Sequence, residues 1–131
     1  MSQSLPVSVS PIGAARPWES TPFACTPRPD GWGSVCLDLV GELDLATCPL
    51  FEQVLRKAQD DKGIVSIDLQ ELTFLDCAGL TAIVRAGARA AVAETRLVLV
   101  GATGQVERLF DLTGPFQTFE MAKPEQQRSV L

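Results

Sequence analysis

The chain has 131 residues, of which 46% are hydrophobic and 21% are charged, and its formal net charge is −5. This size and composition predict one soluble globular domain, and the acidity argues against nucleic acid and anionic membrane surfaces as partners. No apolar run approaches the roughly 18 residues that a membrane helix needs. Because the N-terminus also lacks the features of a secretory signal, we expect a cytoplasmic protein without direct membrane insertion.

Cysteine and histidine usage limits the chemistry of the chain. There are four cysteines, Cys25, Cys36, Cys48 and Cys77, and no histidine. No two cysteines form a CxxC pair, so the common zinc sites are not expected and free thiols are favoured over disulfides. Without histidine, Ser-His and Cys-His nucleophilic mechanisms are excluded. We therefore expect no metal, no other cofactor and no catalysis.

The prolines indicate how the chain is divided. Six of the nine prolines lie within the first 29 residues, a pattern that sustains neither a helix nor a central strand. Residues 1–23 are therefore predicted to be a flexible leader. Residues 24–123 are predicted to form the domain, and residues 124–131 a C-terminal tail.

Strands and helices are predicted to alternate through the domain. A strand over 32–40 is expected to pair with a first strand over 23–28 in a hairpin. Thr47 is the predicted N-cap of a helix over 48–59, whose inward residues are Leu50, Phe51, Val54, Leu55 and Ala58. Further elements are a strand over 64–69, a helix opening at Asp76, a strand over 96–100, a helix over 105–112 and a strand over 116–120. The order β-β-α-β-α-β-α-β predicts an α/β fold with a mixed, mostly parallel sheet of four to five strands and three or four helices.

The most informative stretch is the strand and helix between Ser66 and Ala93. Asp76 stands where an N-cap residue belongs, so its carboxylate is expected to accept a hydrogen bond from a first-turn amide. The apolar residues that follow recur at helical spacing. They predict a buried stripe that consists of Leu80, Ile83, Val84, Gly87, Ala88, Ala91 and Val92.

A second pattern on the same helix is a row of polar residues. Thr81, Arg85 and Arg89 recur every four residues, away from the predicted stripe and beside Ala82, Ala86 and Ala90. Such a row is either a solvated face of good helix formers or a surface on which a partner helix packs closely and places its carboxylates. The pattern alone leaves both interpretations open.

Four short blocks along the domain carry a family resemblance. They read V-x-L-x-x-V-G-E-L-D at 35–44, I-D-L-Q-E-L-T-F-L-D at 67–76, A-G-L at 78–80 and V-E-R-L-F-D-L-T-G at 106–114. In this order the blocks resemble STAS domains, in particular the anti-sigma factor antagonists of bacteria. The resemblance covers residues 24–123 and implies the STAS fold.

The resemblance also implies a function in partner switching. Antagonists of this family bind an anti-sigma factor, a kinase-type ATPase, and so free a sigma factor for transcription. Phosphorylation of the second hydroxyl residue in an Asp-Ser-Ser-Gly-Leu pattern switches them off. Here the pattern reads Asp76-Cys77-Ala78-Gly79-Leu80, and Ala78 occupies the acceptor position. We expect no control by phosphorylation there, whereas modification at Thr81 or Ser66 stays open.

The expected partner-binding surface lies around the start of the helix. It comprises Asp44, Asp76, Cys77, Ala78, Gly79, Thr81, Arg85 and Arg89. Two other functions stay open: an accessory STAS subunit of an ABC-type transporter or signalling scaffold, and a redox sensor built on Cys77. A weak homodimer is a further open question.

Overall fold

The computed structural model describes residues 22–112 and 119–123, which contain five strands and three helices. The elements are β1 (Ala24–Pro29), β2 (Ser34–Leu43), α1 (Cys48–Asp61), β3 (Ile64–Leu75), α2 (Cys77–Ala93), β4 (Arg96–Val100), α3 (Gly104–Asp111) and β5 (Glu120–Ala122). This order confirms the predicted alternation of strands and helices.

The five strands form one sheet in the order β1-β2-β3-β4-β5. β1 pairs with β2 as an antiparallel hairpin, and all later neighbours are parallel. Parallel neighbours need crossover connections, which α1 and α2 supply between β2, β3 and β4. The predicted α/β fold with a mixed, mostly parallel sheet is therefore confirmed. One consequence is that β2 and β3 end at the same edge of the sheet.

The core lies between one face of the sheet and the helices. Phe51 and Leu55 of α1 are fully buried against it, and burial of a side chain of this size stabilises a fold by about 1.5–3 kcal/mol. Between α3 and the residue before β5, the rings of Phe110 and Phe119 meet edge to face with centroids 5.5 Å apart. The same cluster includes Leu37, Leu39, Ile67, Leu69, Ile83, Leu97, Leu99 and Val106.

Several predicted boundaries are wrong. β3 was expected over 64–69 but continues to Leu75, because β2 follows it through two register shifts and keeps the ladder paired. β2 begins at Ser34 rather than at Trp32, which is fully exposed in the hairpin turn. α1 runs two residues further than expected, to Asp61. The last strand covers 120–122 instead of 116–120, and positions 116–118 lie outside the described residues.

The predicted buried face of α2 is only partly correct. Its buried residues are Gly79, Ala82, Ile83, Ala86, Gly87 and Ala90. Val92, expected inside, is 87% exposed, and Ala88 and Ala91 are exposed as well. The cause is that α2 packs against α1 as well as the sheet, and small side chains allow two helices to approach closely. Leu50 of α1 was also expected inside but is half exposed.

The predicted tail (124–131) and nearly all of the predicted leader (1–23) lie outside the described residues. Among the residues that the structure describes, no helix is both long and apolar enough to cross a membrane.

Candidate partner-binding site

The candidate site is built where β2 and β3 end side by side. Leu43 and Leu75 are register partners at the last position of each strand, and the Asp76 amide donates to the Leu43 carbonyl at 3.2 Å. α1 follows β2 after a short loop, and α2 follows β3 directly. Asp44 and Asp76 therefore lie at one edge of the sheet.

Asp76 joins two segments that are far apart in sequence. Its Oδ1 accepts from the Gly79 amide at 3.0 Å, which is the predicted N-cap bond of α2. Its Oδ2 accepts from the Leu45 amide at 3.1 Å. One carboxylate thus satisfies a helix-start amide and holds the β2–α1 loop against α2.

Asp44 and Thr47 organise the β2–α1 loop between themselves. Asp44 Oδ1 accepts from the Thr47 amide at 3.0 Å, and Thr47 Oγ1 accepts from the Asp44 amide at 2.9 Å. Thr47 occupies the N-cap position of α1, but its hydroxyl donates back to the Glu42 carbonyl and makes no cap bond to the helix. The predicted N-cap position of Thr47 is therefore confirmed, but its hydroxyl bonds within the loop and not to the helix.

The acidic groups at this edge act on the thiol of Cys48. Burial raises the pKa of Cys48, and the negative charges of Glu52, Asp76 and Asp44 raise it further. Its Sγ donates to the Ala78 carbonyl at 3.5 Å. The first residue of α1 is thereby packed on the first turn of α2.

Gly79 brings α2 directly onto the strand ends. A Cβ atom at this position would lie 2.7 Å from Leu75 Cδ1 and 2.8 Å from Leu43 Cγ. Even alanine would force these leucines to move. Ala78 precedes it as a partly buried residue that carries no polar side-chain atom.

An open groove of about 380 Å³ lies over the starts of the two helices. From α2, the exposed side chains of Cys77, Thr81 and Arg85 line it. From the other side comes Leu45, which is 76% exposed. Sequence reasoning missed Leu45, whose one signal is that a large apolar residue stands in a loop between Asp44 and Thr47.

Arg89 does not belong to the exposed row in which it was placed. Its Nε and Nη2 donate to Gln59 Oε1 at 3.2 and 3.1 Å, and Gln59 Nε2 donates to the Ala86 carbonyl at 2.9 Å. Burial lowers the pKa of Arg89, and the nearby charge of Arg56 lowers it further. Arg89 therefore ties α2 to α1.

The alanines beside this row are not a partner surface. Ala82, Ala86 and Ala90 are each at most 2% exposed and belong to the hydrophobic core. The interpretation that a partner helix packs on them is wrong. Their role is to let α2 approach its own neighbours closely.

All four cysteines are free thiols, as predicted, and Cys77 alone among them is exposed. In the part of the chain that the structure describes, the one cluster with the atoms of a metal site is Cys36, Asp38 and Asp68. These groups are already engaged. Arg28 donates twice to the Asp38 carboxylate, Gln70 donates to Asp68, and burial raises the pKa of Cys36 to about 12.

Comparison with known proteins assigns the chain to a class. Residues 26–127 match the STAS domain family model, so the chain belongs to the STAS domain family. The anti-sigma-B factor antagonist of Listeria monocytogenes is 34% identical over 88 residues, which are 66% of this chain and 77% of that protein.

Solved structures show the same fold. An anti-sigma factor antagonist from Mycobacterium paratuberculosis superposes with a TM-score of 0.68 at 24% identity, over 83% of this chain and 93% of that one. The phosphorylated form of the Bacillus cell fate determinant SpoIIAA gives a TM-score of 0.66 at 17% identity, over 82% of this chain and 98% of that one. At these identities the likeness concerns the fold alone.

Proposed function

We propose that this STAS domain is an anti-sigma factor antagonist that works in the cytoplasm by binding, without catalysis of its own. Its partner is an anti-sigma factor of the kinase-type ATPase class, and binding frees a sigma factor. The name of the Listeria relative supports this function at 34% identity. The observation that carries the proposal is the open groove at the start of α2, which places exposed apolar and basic groups around a rigid helix end.

The docking surface that we propose consists of residues with different tasks. Leu45 and Cys77 supply exposed contact area, and Thr81 and Arg85 supply polar contacts on the next two turns. The other proposed members are Asp44, Asp76, Ala78, Gly79 and Arg89, which hold the loop and both helices in place through the contacts described above. Central apolar contact with a polar rim is the usual anatomy of protein interfaces.

We further propose that binding is not switched at position 78. SpoIIAA has been solved in both an unphosphorylated and a phosphorylated form. A phosphate brings about −1.5 to −2 charges, which helix-start amides stabilise and which an acidic partner surface repels. Ala78 has no side-chain hydroxyl that could be phosphorylated, so the protein stays competent to bind.

The proposal is tested with purified kinase-type anti-sigma factors from the genome that encodes this chain, each titrated calorimetrically. We expect one of them to bind, and Arg85→Glu to weaken that binding at least tenfold with an unchanged circular dichroism spectrum. The matched control is Arg108→Glu, an exposed arginine on α3, which should bind as the parent does. Binding to none of these factors, or binding only to an ABC-type ATPase tested in parallel, would overturn the proposal.

A further inference from the structure

A second cavity lies along α1 and α2, further from the helix starts than the groove described above. Beyond Arg85 lies a second section of about 290 Å³, lined by Arg56, Gln59, Asp60, Arg89, Ala93 and Thr95. The first section is lined by Glu52 of α1 and by Thr81 and Arg85 of α2. Because residues four apart share one helix face, the two sections lie along the same sides of α1 and α2. Together we call them the α1–α2 groove, which spans about 18 Å between Thr81 and Ala93.

The α1–α2 groove collects positive charge in an acidic chain. Within residues 22–112 and 119–123, none of Arg56, Arg85 and Arg89 is in an ion pair, whereas Arg28 and Arg96 on the sheet are paired with Asp38 and Glu120. Glu52 and Asp60 also line the groove, and their negative charges raise the pKa of Arg89 without forming an ion pair with it. The groove lining therefore carries three arginines against two carboxylates, in a chain whose net charge is −5.

One of these cations is held in a fixed orientation. Gln59 is anchored to the Ala86 carbonyl by its amide nitrogen, so its oxygen faces Arg89 and accepts two of the five guanidinium N–H donors. The remaining donors have no partner among the described side chains. Burial and the charge of Arg56 lower the pKa of Arg89, whereas the charges of Glu52 and Asp60 raise it. A carboxylate of a partner would stabilise the guanidinium in the same way as Glu52 and Asp60.

We propose that the α1–α2 groove receives an acidic segment of the anti-sigma factor, whose carboxylates are bound by Arg56, Arg85 and Arg89. The inference rests on the proposed function and names the chemistry of the partner. Guanidinium groups bind carboxylates in bidentate geometry. Since Arg85 and Arg89 are one turn apart, a helix with carboxylates at four-residue spacing matches them. Arg56 is thereby a binding residue on α1.

Two neighbouring residues of α1 provide the test. Arg56 and Lys57 are both exposed and carry the same charge, but Lys57 lines a cavity on the other flank of α1 with Pro27 and Val54. Against the anti-sigma factor that binds the parent, Arg56→Glu should weaken affinity at least tenfold and Lys57→Glu less than threefold. Equal losses for both variants, or no loss for Arg56→Glu, would overturn the groove proposal while leaving the antagonist function intact. Failure of the parent to bind any anti-sigma factor would overturn both.

A cross-linking experiment identifies the bound group. Arg56→Lys keeps the charge and adds an amine that a zero-length carbodiimide couples to a carboxylate in contact with it. We expect mass spectrometry to find a cross-link from position 56 to a partner Asp or Glu, and none from the native Lys57. Cross-links from Lys57 alone would contradict the proposed location.

Discussion

The amide of Leu45 donates to Asp76 Oδ2 at 3.1 Å, although the two residues are 31 positions apart in sequence. The other oxygen of the same carboxylate caps α2 at Gly79. Asp76 therefore determines the relative position of the loop and the helix that face the groove. A conventional helix cap stabilises one element, whereas this one joins both sides of the proposed docking surface.

Removal of the Asp76 carboxylate should cost stability and binding together. Asp76→Ala loses both hydrogen bonds and should lower the free energy of unfolding by about 1–2 kcal/mol, measured by urea denaturation. Asp76→Asn keeps one carbonyl oxygen as an acceptor and should lose less. If both variants unfold at the parent's urea concentration, the carboxylate does not hold the loop and the helix.

Gly79 should not tolerate a side chain. Helix propensity alone favours Gly79→Ala by about 1 kcal/mol, but the added Cβ would press on Leu43 and Leu75, and overpacking costs about 1–3 kcal/mol. We expect net destabilisation in thermal unfolding. Gly63→Ala is the matched control, because its Cβ would meet only the Gly33 carbonyl at 3.9 Å. A gain in stability for Gly79→Ala would show that Leu43 and Leu75 can move to make room for the added methyl group.

Under the proposal that binding is not switched at position 78, a hydroxyl introduced there should make binding sensitive to phosphorylation. After incubation with the bound kinase-type anti-sigma factor and ATP, Ala78→Ser should carry one phosphate by mass spectrometry and lose affinity for that partner. The parent should carry none within residues 66–81. A stoichiometric phosphate on the parent at Ser66 or Thr81 would contradict the proposal that binding is not switched in this region.

The ion pair between Arg96 and Glu120 should make the β4–β5 edge acid-sensitive. The hydrogen bond from Arg96 lowers the pKa of Glu120 in the folded protein. The ion pair therefore contributes fully to the free energy of unfolding above the unfolded pKa of about 4.3, and this contribution is lost as the pH falls through the lower folded pKa. Both side chains are half exposed, which limits the effect to about 1 kcal/mol. Glu120→Gln should therefore be less stable than the parent in urea at pH 7 and equal to it near pH 2. A difference in stability between the variant and the parent that persists at pH 2 would show that the substitution acts through packing and not through the ion pair.

Local signals in the sequence account for much of the fold. The Asp76 cap depends on a carboxylate and an amide three residues apart, and the short apolar run of β4 was predicted with its exact bounds. That position 78 cannot be phosphorylated follows from the residue type alone, since alanine has no hydroxyl. In these cases the deciding atoms lie within one turn or one strand of each other.

The tertiary structure decided which faces are buried and which residues meet. Helical spacing placed Val92 on the predicted buried stripe and Ala86 outside it, but α1 lies beside α2 and buries Ala86. Likewise, the sequence predicts Arg89 in an exposed row, but in the fold its guanidinium donates to Gln59, which lies 30 residues earlier. Both outcomes depend on contacts between segments remote in sequence, whereas helical periodicity records only spacing within one segment. The order of the elements and the lack of a hydroxyl at Ala78 could therefore be read from local sequence, whereas the shape and charge of the groove depend on the packing of α1 on α2.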